Sequence, residues 1–397
     1  MAHERRAVVT GIGVVAPCGQ SLDTFWDALT APVDAPVAGT TEVIDGFDPA
    51  AWLGRADINR TDDRIHFAVA AAAMAHADAG EPGCEPRRAG VIIGNTHGAA
   101  RRIEAEGLTA VADGRKAVPP YLAVLANDNA PAAVIAQRFG ARGTCQMVGG
   151  ACASGTYAIG DGAQLIRSGR CDLVFAGATA GALPDALLAA YENLRVIAAS
   201  GLVRPFDERR EGFVYRLGAA VLVLEEAGRA AARGARIYGE VAGSASTNDA
   251  WHPIRQSGIG AVECMQLALA DAGLDPADVA HVNAHGSATM LNDSVEAEAI
   301  RSVFGDHRPS VTSIKRVTGH SLGGAGSFEA AAVLLSFDRQ VLPPAGIDVQ
   351  LDPALDVDVV VGAPTPWTPG PTISNSFGLG GQNGTIVLVP PSPEASP

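Results

Sequence analysis

The sequence predicts an α/β protein assembled from two similar halves. Short β-branched runs alternate with alanine-rich helical stretches, glycine and proline punctuate the junctions, and the second half repeats the layout of the first. In the first half "AVVTGIGVV" (7–15), "AGVIIGNT" (89–96), "CQMVGG" (145–150), "CDLVFAGAT" (171–179) and "AAVLVLEE" (219–226) read as strands. Such short, bounded apolar runs suit strands covered by helices on both faces. "DRIHFAVAAAAMAHADAG" (63–80) and "TYAIGDGAQLIRSG" (156–169) read as the helices between them. A second series begins near residue 236, with strands in "RIYGEVAGSAS" (236–246), "DVAHVNAHGS" (278–287), "SVTSIK" (310–315), "DVVVGAP" (358–364) and "TIVLVP" (385–390). Its helices are "GAVECMQLALADAG" (260–273) and "SFEAAAVLLSF" (327–337). Residues 149–166 and 319–335 each place a reactive side chain ahead of a small-residue helix start. That self-similarity predicts a duplicated βα module whose copies face each other, in halves 1–235 and 236–390, followed by a Pro- and Ser-rich unstructured tail at 391–397.

Composition narrows the function. The chain has 397 residues, 47% of them hydrophobic and 18% charged, ample for a large core. It contains no apolar run of about 18 residues, so no membrane span is predicted. The opening "MAHERRAVVTGIGVV" has glycines in its apolar stretch and reads as a first strand rather than a secretory signal. A formal net charge of −14 argues against non-specific nucleic-acid binding. The six cysteines (Cys18, Cys84, Cys145, Cys152, Cys171, Cys264) form no CxxC pair, and no histidines cluster beside them. Neither a zinc site nor a disulfide framework is expected, and a reducing, cytoplasmic setting is.

One cysteine stands apart. Cys152, in "MVGGACASGTYAIG", follows a strand and opens a helix. Unpaired N–H groups at a helix start favour a thiolate over a thiol. Gly150, Ala151, Ala153 and Gly155 permit a sharp turn and the close approach of a substrate carbonyl, the logic of a nucleophile elbow. A free cysteine in a small-residue context is equally at home as a buried hydrophobe. Two histidines tip the balance. His285 follows a strand in "HVNAHGSATMLND", and His320 opens a Gly-rich helix start in "SIKRVTGHSLGGAGSFE". His97, in "IIGNTHGAARR", also ends a strand beside a glycine and is a further pocket candidate.

These residues lie in motifs that resemble the β-ketoacyl-acyl-carrier-protein synthases, in the elongating branch with a Cys-His-His triad. "VVTGIGVVAPCGQSLDTFWDAL" resembles the family's opening, "ACASG" its nucleophile motif and "RPFDERREGFV" its mid-chain signature. "VNAHGSATMLND" and "IKRVTGHSLGGAG" resemble its two histidine motifs, and "NSFGLGGQNG" its closing glycine loop. The resemblance runs nearly end to end with the motifs in order. It implies a thiolase-like fold layered α-β-α-β-α, and a decarboxylative condensation of a Cys152-bound acyl chain with a malonyl extender. His285 and His320 would stabilise the enolate, and the backbone N–H groups of Cys152 and Leu379 would form the oxyanion hole. Lys315 and Glu329 match a family pair that would hold His320. Ser287 and Thr289 match hydroxyls that bind the phosphopantetheine arm, Phe377 and Leu379 belong to the gate over the acyl pocket, and Asp293 and Asn383 would hold loops.

The resemblance also implies an acyl carrier protein as partner. It implies a homodimer, or a heterodimer with a chain-length-factor-like relative, pairing near "GTCQMV". No metal or organic cofactor is implied beyond the phosphopantetheine of the carrier. Arg60, Arg64, Arg204, Arg209, Arg210 and Arg316 are candidates for a basic rim that docks this acidic partner. Three departures bear on gating. The mid-chain signature continues as "YRLGA", with Arg216 in a glycine position and Leu217 in an acidic one. Leu379 replaces a second Phe, and Gln382 a Thr. These favour a polyketide over a housekeeping fatty-acid role. The rival readings are a ketosynthase-fold acyltransferase that does not elongate, and a non-catalytic chain-length-determining subunit. Two histidines argue against the first and Cys152 against the second. A degradative thiolase would carry a second cysteine in the closing loop, where "SFGLGGQNG" has none.

Overall fold

A computed structural model of the chain describes residues 5–32, 35–37 and 39–391. Its main sheet has ten strands. In chain order they are β1 (Ala7–Val15), β2 (Ala89–Asn95), β3 (Cys145–Val148), β4 (Leu173–Ala180) and β5 (Gly218–Glu226). The second five are β6 (Gly239–Asn248), β7 (His281–Asn283), β8 (Ser310–Thr312), β9 (Thr372–Gly378) and β10 (Gln382–Val389). Across the sheet they run β3-β2-β4-β5-β1-β6-β10-β9-β7-β8. Read outward from the β1/β6 seam, each set of five has the same order and the same directions. The two outer pairings are parallel and the two inner ones antiparallel. The seam itself is short, with Val8 opposite Glu240 and Val9 opposite Gly239. The duplicated module expected from the sequence is therefore present in the strand order.

Five of the helices around the sheet frame the site: α1 (Asp63–Asp78), α2 (Ser154–Arg167), α3 (Ile259–Ala272), α4 (Met290–Phe304) and α5 (Ala325–Arg339). Helix α1 covers β1 and β5, while α3 covers β6 and β10 with α4 beside it. Between the two half-sheets lie α2 and α5, touching each other and strands from both halves. A helix enclosed this way needs small side chains. A Cβ on Gly155 would lie 2.7 Å from Ser327 Oγ, and one on Gly160 would lie 2.8 Å from Ser244 Cβ. Each glycine costs its helix roughly 1 kcal/mol, which the close approach of neighbouring elements offsets.

One strand expectation needs correction. "DVVVGAP" (358–364) is not a strand of the main sheet: Gly362 and Pro364 interrupt it, and only Val359 bridges to Val311. The strand is instead β9, "TISNSFG", a polar run buried throughout. The tail expected at 391–397 lies, apart from Pro391, outside the described residues. Strand β3 forms one edge of the sheet, with Cys145 and Gln146 exposed. Among the described residues no helix is long and apolar enough to cross a membrane.

Candidate active site

Cys152 lies in the turn from β3 into α2. Ala151, just before it, adopts φ +49°, a left-handed conformation unusual for a residue with a Cβ. Hydrogen bonds hold the turn in place. Ser154 Oγ accepts from the Gly150 N–H at 2.9 Å and donates to the Ala151 carbonyl at 2.7 Å. Thr96 Oγ1, at the end of β2, donates to the same carbonyl at 2.9 Å. The end of β9 closes the other side. A Cβ on Gly378 would lie 2.9 Å from the Cys152 nitrogen. The next amide, that of Leu379, faces the sulfur and favours its thiolate form.

His285 lies in the loop after β7, and buried carboxylates from α4 fix that loop. Glu296 accepts the backbone N–H groups of His285 and Gly286, both at 2.8 Å. Asp293 accepts those of Ala288 at 3.0 Å and Phe206 at 2.8 Å. Lys315 donates to the His285 carbonyl and to Glu329, and its Nζ lies 3.4 Å from His285 Nδ1. The pair expected to hold His320 thus holds His285, because Lys315 points back across the turn toward β7. Glu329 in turn accepts from Ser376 Oγ at 3.3 Å, and Ser376 bonds Thr156 of α2 at 2.7 Å.

His320 is positioned by backbone. Its N–H donates to the Val214 carbonyl at 2.8 Å, its carbonyl accepts from the Arg216 N–H at 3.3 Å, and its ring meets Phe213 edge-on at 4.8 Å. The unusual "YRLGA" segment therefore forms the bed of this histidine. Arg216 needs no left-handed conformation, which falls instead to Gly218. Arg216 donates to the Val37 carbonyl at 2.6 Å, and Leu217 is buried in the core against α1.

The three side chains converge. Cys152 Sγ and ring nitrogens of His285 and His320 all lie within 4.8 Å of one another, and the two imidazole centroids are 5.1 Å apart. All three residues are buried. Burial pushes the Cys152 thiol up to about 11, outweighing the opposing pull of the Lys315 charge and of the Leu379 and Cys152 backbone amides. The thiolate expected from the helix start is therefore a thiol at neutral pH, because desolvation exceeds the field of the helix end. Burial, and then the Lys315 charge, hold both imidazoles well below the ordinary histidine value; His320 adds to the effect on His285. An ammonium only donates, so the Lys315 contact makes His285 Nδ1 an acceptor and leaves the proton on Nε2. The result is a protonated thiol beside two neutral imidazoles, one with a directed N–H.

The sequence shows no clustered histidine ligands, yet the fold brings one cysteine and two histidines to metal-ligating distances. The chemistry does not fit a divalent cation. Its nearest ionic neighbour is the Lys315 ammonium, which would repel it and already occupies His285 Nδ1.

The remaining candidates fall into four groups. Phe377 is buried 6.1 Å from the His285 ring, and Leu379 is part-exposed beside it. Ser287 Oγ lies 3.1 Å from Thr289 Oγ1, which also caps α4 by accepting from the Asn292 N–H. Asn383 donates to Asp249 and Gly381, in keeping with a loop-holding role. The basic rim is reduced. Arg64, Arg210 and Arg316 are buried structural residues, donating to Asp62, to Asp352 and to the Pro344 and Leu29 carbonyls respectively. Arg209 pairs with Asp207, Arg60 stacks on Tyr121, and Arg204 is half-buried. Glu296 and Phe213 were not singled out from the sequence. The first acts on backbone N–H groups in the loop before its own helix, and no local motif announces that.

Family models match in two blocks, "Beta-ketoacyl synthase, N-terminal domain" over residues 31–230 and "Beta-ketoacyl synthase, C-terminal domain" over residues 238–346. The chain is 34% identical to the 3-oxoacyl-[acyl-carrier-protein] synthase 2 of Synechocystis sp., covering 97% of this chain and 98% of that one. It is 35% identical to a putative polyketide beta-ketoacyl synthase 1 of Streptomyces cyaneus, covering 98% and 99%. Among solved structures, the ishigamide ketosynthase/chain length factor superposes with a TM-score of 0.90 at 31% identity, covering 98% of this chain and all of that one.

Proposed function

The chain belongs to the β-ketoacyl synthase family, and on that premise we propose that it joins a Cys152-bound acyl chain to malonyl-acyl-carrier protein with loss of carbon dioxide. The product is β-ketoacyl-acyl-carrier protein in type II polyketide or fatty-acid biosynthesis. One observation carries this reading: the sulfur and both imidazoles meet within 4.8 Å, close enough to address one thioester.

The chemistry follows from the protonation states. Cys152 Sγ attacks the carrier-bound thioester as a neutral imidazole takes its proton, which goes on to the departing phosphopantetheine thiol. The N–H groups of Cys152 and Leu379 hold the oxyanion of that intermediate. The malonyl thioester then enters with its carbonyl oxygen toward His285 Nε2–H and His320. Loss of carbon dioxide leaves an enolate, whose charge falls on oxygen between two uncharged donors. Its carbon attacks the acyl–Cys152 carbonyl, the carbon–sulfur bond breaks as the β-ketoacyl product forms, and the departing sulfur takes one proton from solvent to restore the thiol. Burial, with the Lys315 charge added to it, keeps both imidazoles neutral, so that one can accept the Cys152 proton and both can donate an N–H to the enolate oxygen; Glu329 holds the Lys315 ammonium in place. Ser287 and Thr289 border the phosphopantetheine arm, and Phe377 with Leu379 covers the acyl entrance.

In this reading the chain divides at 235/236 into a nucleophile half and an imidazole half. The carrier protein brings both substrates, so the phosphopantetheine belongs to the partner. A second copy, or a chain-length-factor-like relative, pairs along the β3 edge, and the protein works in the cytoplasm. The test uses purified protein with acyl- and malonyl-carrier protein, following carbon dioxide and the acyl mass on Cys152. Carbon dioxide release coupled to a β-ketoacyl product is expected, and complete alkylation of Cys152 abolishes that product. Undiminished product formation after complete alkylation refutes the mechanism, and acyl transfer without carbon dioxide refutes condensation.

A further inference from the structure

On the side away from His285, His320 and Lys315, the surroundings of Cys152 are apolar with one exception. Leu183, Phe213, Tyr215 and Leu322 form a buried cluster with the cysteine, and Leu187, Leu188, Val196 and Ile197 line its outer side. Tyr215 has already spent its hydroxyl on the Gly181 carbonyl. Tyr191 has not: among the described residues its hydroxyl meets only the ring of His97, at 2.7 Å to Nε2. The pair is linked to the reacting centre by contact. The His320 ring lies 4.8 Å from Phe213, Phe213 lies 6.1 Å from Tyr191, and Tyr191 lies 6.0 Å from His97. A second link runs through the backbone, since Thr96, next to His97, bonds the carbonyl just before Cys152. His97 holds this place in a left-handed conformation, φ +66°, that costs a non-glycine residue about 1 kcal/mol or more.

The hydrogen-bond arithmetic of the pair has one result in either tautomer. If the tyrosine hydroxyl donates to Nε2, the imidazole proton on Nδ1 is spare. If Nε2–H donates to the hydroxyl, the phenolic proton is spare. The pair lies at the solvent edge of this cluster, His97 exposed and Tyr191 half-buried, and partial desolvation holds His97 below the usual histidine value and Tyr191 above the usual tyrosine value, so both are uncharged at neutral pH. A neutral pair with one unspent proton suits an oxygen acceptor without charge; a carboxylate would call for a cation.

From this we infer that His97 and Tyr191 select the acyl chain, recognising a keto or hydroxyl oxygen borne by the chain attached to Cys152. The inference rests on the proposed acylation of Cys152. A chain that carries such an oxygen satisfies the spare proton. A plain hydrocarbon of the same length desolvates the pair and gives nothing back. Sites built to bond a substrate oxygen discriminate strongly against analogues that lack it.

The test loads Cys152 from pantetheine thioesters of octanoate and of octanoates carrying a single keto or hydroxyl group, moved carbon by carbon along the chain. Intact-protein mass spectrometry reads the loading rate. The expected result is one oxygen position at which the oxygenated chain loads about tenfold faster than octanoate, the equivalent of one hydrogen bond. Tyr191→Phe and His97→Leu bring that ratio toward one, and His97→Gln, which keeps a donor, restores part of it. An unchanged ratio in both Tyr191→Phe and His97→Leu, or faster octanoate loading at every position, overturns the inference while Cys152 acylation stands. No adduct from any thioester overturns the assignment of Cys152 itself, and this inference with it.

Discussion

The two halves share one topology and stabilise equivalent turns by opposite means. Between β3 and α2 the first half needs only residues 149–153 to present Cys152, and it holds them with small side chains and neutral hydrogen bonds. Between β8 and α5 the second half uses residues 313–324, which carry Lys315 and His320 and depend on a buried ion pair. The difference has a chemical reason. On the proposed mechanism Cys152 must be approachable, so space around it is scarce and glycine and alanine fill it. Hydrogen-bond donors must be uncharged and aimed, and that is set by fixed charges nearby. The first turn is therefore sensitive to volume, the second to charge.

The largest effect is expected on the charged side. Lys315→Met leaves Glu329 buried without its partner and lowers stability by about 3–5 kcal/mol in urea unfolding. Lys315→Met with Glu329→Gln recovers most of that loss. A double variant as unstable as the single one would remove the ion pair from the comparison. On the neutral side, Gly155→Val forces a side chain against Ser327, whose nitrogen would be 2.8 Å from the new Cβ. The cost is about 1–3 kcal/mol by the same measurement, and a neutral result would show that α2 and α5 can separate.

Protonation sharpens the contrast. His281, His285 and His320 all bind protons less readily in the fold than their ordinary 6.5, His281 down to about 3. Below pH 6.5 the unfolded chain takes up protons that the native one refuses, so stability falls as pH falls. Each such histidine contributes a slope of about 1.4 kcal/mol per pH unit. His281 bonds Thr312 outside the triad, so His281→Gln removes one proton from that slope between pH 6.5 and about 3. Equilibrium unfolding against pH measures it, and an unchanged slope would count against the buried neutral imidazole. The smallest effect concerns the sulfur. Iodoacetamide labelling of Cys152 should rise toward pH 11, beyond the range of an ordinary thiol. Lys315→Met should push the midpoint higher still, because the charge that favours the thiolate is gone. A midpoint near that of a free thiol in both proteins would place Cys152 in water.

Much of this was legible in the chain. Cys152, His285 and His320 stand out because strand ends flanked by glycine are where side chains can meet a ligand. Other features were hidden by their own pairing. Strand β9 reads as polar because its serines and asparagine find partners only after folding: Ser374 bonds Asn283, Asn375 bonds Thr385, and Ser376 bonds Thr156. Arg64, Arg210 and Arg316 look like surface charge, and are buried because carbonyls and carboxylates from distant segments receive them.

The sequence by itself determined the alternation of elements, the duplicated halves and which three side chains, Cys152, His285 and His320, are candidates for one site, since hydrophobic period and glycine-flanked strand ends are local properties of a chain. Tertiary structure alone decided the protonation states and which histidine Lys315 serves. Desolvation and Coulomb interaction depend on what surrounds a group in space, and residues 152, 285, 315 and 320 acquire common surroundings only when the half-sheets close over α2 and α5.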